Sequence, residues 1–328
     1  MSKVEAVIIE GAGGPEVLSL GTLELAEPGP GEVRVEVAAA GLNRADLLQR
    51  MGLYPAPPGV PPQVPGLELA GAIVALGEGV EGWSVGERVM ALTAGGAMAR
   101  EANVPAGQLL PWPEGLPAAE AAAIPEAFLT AFDALILQGA LRAGETLYLN
   151  ALGSGVGTAA VQLASRAGAT VLASSRSPEK IEAARPLGLA AGRAPGEGLA
   201  AWVRERTGGR GAEVVLDLVG ASQLSETQRC LAPRGRWLLV GLLGGARAEL
   251  DLGRLLAARI TLTGTVLRSR PGEEKAALVQ AFAAQALPGF AEGRLRPVLA
   301  GTLPMERVGE AHARLAGGGI FGKLVLTW

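Results

Sequence analysis

An apolar run, Thr146–Leu149, leads into a turn of small residues, Asn150–Ala151–Leu152–Gly153–Ser154–Gly155–Val156–Gly157, and then into an Ala-rich segment, Gly157–Ala167. The order is strand, glycine-rich turn, helix. More of the same follows: Thr170–Ser174 reads as a strand and Pro178–Arg185 as a helix. Leu199–Thr207 reads as a helix, and Glu213–Leu218, Arg236–Val240 and Ile260–Leu267 as strands. Strands alternating with helices predict a parallel sheet covered on both faces, a doubly wound α/β domain. In such a domain the turn has a chemical use. Small residues let the backbone approach a pyrophosphate, and the helix start offers it free N–H groups and a positive dipole end. A glycine-rich patch alone says little in a chain with 48 glycines, and the bland reading is an ordinary strand–helix connection. The preceding strand and the following helix favour dinucleotide binding at Gly153, Ser154, Gly155, Val156 and Gly157. Counted back from Gly157, Leu152 and Ser154 stand where a strict G-x-G-x-x-G has its first two glycines.

The second strand of such a domain selects the cofactor. An NAD site places a carboxylate about 20 residues beyond the turn, on the ribose hydroxyls. Here the strand ends Ser174–Ser175–Arg176–Ser177, with Lys180 close behind. Arg176 and Lys180 can neutralise a 2′-phosphate and the serines, Ser174 among them, can donate to it, so NADPH is the expected cofactor. The bland alternative is a solvated loop with two incidental cations.

The first third differs. Val4–Ile9, Glu32–Val37, Leu67–Leu76 and Glu87–Leu92 read as strands, with a Pro-rich loop at Pro55–Pro65. Ala118–Ala123 and Phe128–Leu137 read as helical, as does Met305–Leu315 before a last strand, Gly322–Leu326. That strand is expected to rejoin the N-terminal β-structure. The expected division is residues 1–122, an inserted nucleotide domain at 123–291, and a return at 292–328.

At 328 residues with 49% apolar side chains, the chain can fill two cores. A net charge of −3 gives no footprint for nucleic acid or an anionic membrane. No apolar run reaches the about 18 residues of a membrane span, and the opening MSKVEAVIIEGAGG is not a signal peptide, so a cytoplasmic protein is expected.

The runs Gly41–Leu42–Asn43–Arg44–Ala45–Asp46, Gly66–Leu67–Glu68–Leu69–Ala70–Gly71, Ala122–Ala123–Ile124–Pro125–Glu126–Ala127 and Gly322–Lys323–Leu324–Val325–Leu326 follow one another along the chain. Together they resemble the medium-chain dehydrogenase/reductase superfamily, in particular its zeta-crystallin-like quinone oxidoreductases. Leu42–Gln49, Ala121–Phe132, Ser154–Ala160 and Leu267–Arg270 are most similar to the branch that includes the tumour-suppressor-inducible quinone reductases. The resemblance implies a GroES-like β-rich catalytic domain beside a Rossmann domain, and hydride transfer from NADPH to a small quinone or activated alkene. It also implies a homodimer extended through the strand Ile260–Leu267.

The resemblance further implies Asn43, Asp46 and Tyr54 as catalytic candidates, with Tyr54 orienting the acceptor oxygen. Asn43 and Asp46 have an alternative as loop-holding residues, through Asx-type hydrogen bonds. Thr130, Gly241 and Lys323 are implied near the cofactor. No metal is expected. The zinc members have Gly-His-Glu where this chain has Gly66–Leu67–Glu68, and a zinc site needs about three or four Cys, His or carboxylate ligands. The lone Cys230 and lone His312 read as packing residues. Two further readings stand beside quinone reduction: a 2-alkenal or enoyl-thioester reductase, and a non-catalytic NADPH-binding structural protein.

Overall fold

The computed structural model describes residues 1–328. They form two compact units, Met1–Leu129 with Leu267–Trp328, and Thr130–Val266. These limits lie at 129/130 and 266/267, where the sequence suggested 122/123 and 291/292. The segment 267–291, which includes the long helix Gly272–Gln285, belongs with the first unit.

The first unit is built on a mixed sheet. Its strands are β3 (Glu32–Leu42), β4 (Glu68–Leu76), β5 (Arg88–Leu92), β6 (Glu101–Pro105), β7 (Leu109–Pro111), β14 (Leu299–Pro304) and β15 (Lys323–Thr327). The order is β14-β15-β3-β4-β5-β7, with β6 also paired to β3. Only β14 and β15 run parallel, and β15 lies antiparallel on β3. A separate hairpin joins β1 (Ser2–Ile9) to β2 (Leu18–Leu25). Val33, Val35 and Val37 enter the core as their alternation predicts, but Arg34 between them is buried as well. Its guanidinium donates to Ser2 Oγ at 3.1 Å, to Asn103 Oδ1 at 3.3 Å and to the Ala26 carbonyl. A polar residue in an alternating strand can thus be covered when its donors are met.

Helices α1 (Arg44–Arg50), α2 (Ala118–Ala121) and α3 (Pro125–Phe132) follow β3 and β7. Pro125 starts α3 where its missing N–H costs nothing. Beyond Phe132 the helix widens into a π-turn, Asp133–Gln138, with Gly139 N–H donating to the Ala134 carbonyl at 2.8 Å. The single helix expected over Phe128–Leu137 is therefore two geometries.

The second unit holds β8 (Thr146–Leu149), α4 (Gly155–Arg166), β9 (Thr170–Ser174), α5 (Pro178–Ala184) and β10 (Ala191–Arg193). It continues through α6 (Leu199–Arg206), β11 (Ala212–Asp217), α7 (Leu224–Cys230), β12 (Leu231–Leu239), α8 (Leu252–Ala258) and β13 (Thr261–Gly264). All pairs are parallel, in the order β10-β9-β8-β11-β12-β13. This is the doubly wound 3-2-1-4-5-6 arrangement, with its switch point between β8 and β11. Edge strand β13 is shorter than the expected Ile260–Leu267, because its partner β12 ends at Leu239, opposite Gly264. The first unit closes with α9 (Gly272–Gln285), α10 (Pro288–Ala291) and α11 (Val308–Gly317).

His312 of α11 is fully buried, and neither ring nitrogen has a hydrogen-bond partner. Burial first, and the nearby Arg50 guanidinium second, lower its pKa from 6.5 to about 3. The folded state therefore holds His312 neutral while the unfolded chain protonates it. Its contribution to stability is whole above pH 6.5 and is lost as pH falls toward 3. Replacing His312 by Leu should flatten the decline of the urea midpoint between pH 6.5 and 4, a slope worth at most about 1.4 kcal/mol per pH unit. Parallel pH profiles for the two proteins would contradict this.

Candidate functional site

In the second unit the carboxyl ends of β8, β9, β11 and β12 lie along one edge of the sheet, and a buried side-chain network ties three of them together. Asn150 Nδ2 donates to Asp217 Oδ1 at 2.6 Å, and Asn150 Oδ1 accepts from Leu218 N at 2.7 Å. Asp217 Oδ1 also accepts from Val219 N at 2.8 Å and Gly220 N at 2.9 Å, and Oδ2 from Trp237 Nε1 at 3.1 Å. Next to this network Ala151 takes a left-handed φ of 53°. That conformation costs a residue with a Cβ roughly 1–2 kcal/mol and persists where its surroundings fix it.

The turn that follows is shaped for close approach. A Cβ on Gly157 would stand 2.6 Å from the Leu152 carbonyl oxygen and 2.7 Å from that of Ala151, so α4 starts this near the strand only with glycine there. Ser154 caps α4 by accepting from Gly157 N at 3.0 Å, which leaves its own hydroxyl proton to donate. Gly153, Ser154, Gly155 and Val156 are partly exposed. Lys180 lies across this turn, where a Cβ on Gly153 would meet its Cδ at 2.6 Å and its Nζ at 3.3 Å. Arg176 is exposed. Partial burial, then the charge of Arg176, lower the Lys180 pKa.

The remaining cofactor candidates divide. Gly241 sits where a Cβ would press on the Leu218 carbonyl oxygen at 2.8 Å. Thr130 has a buried hydroxyl with no partner in the protein. Ser174 is used differently from a phosphate contact: it is buried, and its Oγ pairs with the Tyr148 hydroxyl at 2.9 Å inside the sheet. A glycine cradle, an orphan hydroxyl and two cations fit an anionic dinucleotide.

The first unit brings Asn43, Asp46 and Lys323 together around Glu68. The Glu68 carboxylate is fully buried. Its Oε1 accepts from Asn43 Nδ2 at 2.9 Å and from Lys323 Nζ, and its Oε2 from Glu126 N at 2.8 Å. Lys323 Nζ also donates to Asn43 Oδ1 at 2.5 Å. Gly41 makes room for this, because a Cβ there would lie 2.6 Å from Glu68 Cδ and 2.7 Å from the Ala122 carbonyl oxygen.

Asp46 spends its oxygens on backbone donors, Asn43 N at 2.7 Å and Gly66 N at 2.9 Å. The first of these closes the start of α1 from its third residue. Burial raises the Asp46 pKa to about 6, against the pull of those two N–H groups, Lys323 and Arg268. Lys323, expected near the cofactor, is thus engaged with Asn43 and Glu68.

Tyr54 is half-buried beneath Arg268, whose guanidinium carbon stands 4.9 Å from the ring centre. Arg268 donates to the Ala94 carbonyl at 2.7 Å, the Tyr54 carbonyl at 3.1 Å and Gln49 Oε1 at 2.5 Å, and so fixes the Pro-rich loop from three sides. Burial, more than any charge, raises the Tyr54 pKa. Glu126, at the start of α3, has its pKa raised from 4.5 to about 7 by burial and the Glu68 charge, with Lys323 opposing.

Glu68, Glu126, Arg268, Asn150 and Asp217 received no role in the sequence reading. The first three lie inside family-like runs, so their positions were marked and their contacts were not. Asn150 and Asp217 close two strands and carry no motif.

Two family models match the chain, "Alcohol dehydrogenase GroES-like domain" over residues 29–114 and "Zinc-binding dehydrogenase" over 155–284. A quinone oxidoreductase of Pseudomonas aeruginosa is 34% identical over 96% of this chain and 96% of that protein. A spectinabilin polyketide synthase system protein of Streptomyces orinoci is 34% identical over 91% of this chain, which spans 13% of that longer protein. Among solved structures, mycobacterial Rv1454c complexed with NADPH superposes with a TM-score of 0.90 at 29% identity, covering 99% of this chain and 100% of that one. CurK enoyl reductase superposes with a TM-score of 0.88 at 26% identity, covering 100% and 99%.

Removing one partner of a buried ion pair strands the other charge, which costs about 3–5 kcal/mol. Glu68→Ala should lower the denaturation midpoint by an amount in that range. The double variant Glu68→Leu/Lys323→Met should recover most of it. A Glu68→Ala protein as stable as the parent would show that Lys323 finds another partner.

Proposed function

Because the chain belongs to the zeta-crystallin-like quinone-oxidoreductase group of the medium-chain dehydrogenase/reductase superfamily, we propose that it is a zinc-free, NADPH-dependent quinone reductase. The observation that carries the cofactor choice is the pair Arg176 and Lys180 beyond β9, where an NAD site has a carboxylate. The two cations lower each other's charge tolerance until a phosphate dianion sits between them. Thr130, Ser154, Gly157 and Gly241 hold the dinucleotide, which supplies a hydride when bound. Tyr54 orients the acceptor oxygen, and Asn43, Asp46 and Glu68 keep the surrounding loop and strands in place.

Zinc does not fit these residues. Leu67 occupies the position of the zinc-ligand histidine and is buried in the core. Cys230 is buried in the second unit with its thiol pushed up to about 12, and His312 is enclosed beside Arg50. A quinone is already electrophilic, so placement against the cofactor can replace a Lewis acid. A second reading, reduction of an enoyl thioester, is favoured by the likeness to CurK enoyl reductase.

Replacing Arg176 and Lys180 together by Ala should weaken NADPH binding by roughly ten- to a hundredfold and leave NADH nearly unchanged. Fluorescence titration with both cofactors measures it, and equal dissociation constants in the parent protein would sink the proposal. Screening quinones, 2-alkenals and enoyl thioesters by NADPH oxidation then separates the two readings.

The protein is further proposed to be a homodimer. Edge strand β13 has one open side, and Leu252, Leu256 and Leu262 around it are 62%, 76% and 39% exposed. A two-fold mate would cover both the edge and the leucines. Light scattering should give a dimer mass for the parent and a monomer mass for Leu256→Glu/Leu262→Glu. A monomer in both would remove the dimer.

A further inference from the structure

Three carboxyl groups share the cluster of the first unit, and the protein uses two of them fully. Asp46 gives both oxygens to backbone N–H groups. Glu68 gives one to Asn43 and Lys323 and the other to the Glu126 backbone. Glu126 contributes that backbone N–H, while its own carboxyl accepts none of the hydrogen bonds that hold the cluster. The residue remains partly exposed.

Charged groups face the Glu126 carboxyl from each neighbouring element: Glu68 on β4, Asp46 on α1, Lys323 on β15 and Arg268 ahead of α9. Its own charge is felt by Tyr54, the residue assigned to the acceptor oxygen, and by Lys275 of α9. The carboxyl is therefore enclosed among fixed groups, uncommitted to any of them, and near the hydroxyl that would meet the acceptor.

We propose that Glu126 is a catalytic residue, the acid that protonates the acceptor as it is reduced. The inference rests on the reading of the chain as an NADPH-dependent reductase. A hydride leaves the nicotinamide of NADPH with both electrons and forms a bond to the acceptor, and NADPH becomes NADP⁺. The negative charge gathers on the acceptor oxygen of a quinone, or at the α-carbon and carbonyl of an activated alkene. The O–H bond of Glu126 breaks and its proton bonds to that atom. A solvent proton then restores the acid, so that NADPH, one proton and the acceptor give NADP⁺ and the reduced acceptor. Lys323, Arg268 and Lys275 stabilise the carboxylate left after transfer. A proton donor works best with a pKa near the working pH, and the enclosed Glu126 sits at about 7. Asp46 and Glu68 cannot serve, because a proton on either would break the hydrogen bonds that position the cluster.

The experiment compares the parent, Glu126→Gln and Glu126→Asp in NADPH oxidation by the best acceptor between pH 5.5 and 9. It adds NADPH titration and NMR of protein labelled with carboxyl-¹³C glutamate. The parent should lose turnover as pH rises through about 7, where one glutamate resonance titrates. Glu126→Gln should lower kcat on the order of tenfold or more, abolish that pH limb and that resonance, and leave NADPH affinity within about twofold. Glu126→Asp, with its shorter reach, should keep the pH limb at reduced kcat, and it covers the case in which Glu126→Gln fails to fold. Full kcat with an unchanged pH profile in Glu126→Gln overturns the assignment and leaves the reductase reading intact. A parent that oxidises NADPH with no acceptor overturns the reductase reading itself, and the inference with it, whatever the NMR shows.

Discussion

A single carboxylate in the first unit, that of Glu68, fixes most of what surrounds it. It is out of water entirely, on β4, and it binds Asn43 ahead of α1, Lys323 at the start of β15 and the backbone at the start of α3. A buried charge is tolerated only when paired and fully hydrogen-bonded. Its three partners come from segments far apart in the sequence, so each must arrive for the charge to be satisfied. The requirement extends to Gly41, since a side chain there would displace Glu68. The Asn43, Asp46, Glu126 and Lys323 positions are in this sense one structural decision.

The second unit solves the parallel problem with a carboxylate on β11. Asp217 collects an amide, an indole and two backbone N–H groups. What it fixes is the run of peptide beyond β8 and β11, including the strained Ala151. Doubly wound sheets bind ligands where the strand order reverses, and an N–H-lined turn is useful there only if it does not collapse onto its own carbonyls. The Asn150–Asp217 pair supplies that stiffness from below the turn.

The alternation of strand and helix was legible from the sequence because periodicity and glycine punctuation are local signals. Thr146–Leu149 and Thr170–Ser174 match the structure at both ends. Short β6, β7 and β10 and the π-turn Asp133–Gln138 were not legible, because partners distant in sequence determine them. The site divides the same way. The turn from Gly153 to Gly157 could be read residue by residue, since its chemistry is that of the backbone. Ser174 could not: a serine at the end of a strand looks the same whether it faces a phosphate or, as here, Tyr148. Arg268 was quoted within a family-like run, yet its grip on Gln49, Tyr54 and Ala94 joins residues about two hundred positions apart, which no local pattern encodes.

Three acidic side chains within one cluster have three different fates, and their surroundings set the difference. Glu68 meets a lysine and an amide, and the pairing keeps it charged in the core. Asp46 is just as buried but faces mainly peptide N–H groups, which offset only part of the burial cost, and its pKa rises to about 6. Glu126 has neither a bonded cation nor a peptide donor, and the Glu68 charge beside it adds to burial, so it rises further, to about 7. Glu68 therefore acts twice: as an anion it satisfies Lys323 and holds the Glu126 backbone, and through its field it helps keep a proton on the Glu126 side chain. Environments that push like groups apart in this way are how one fold assigns structural and acid roles at a single pH.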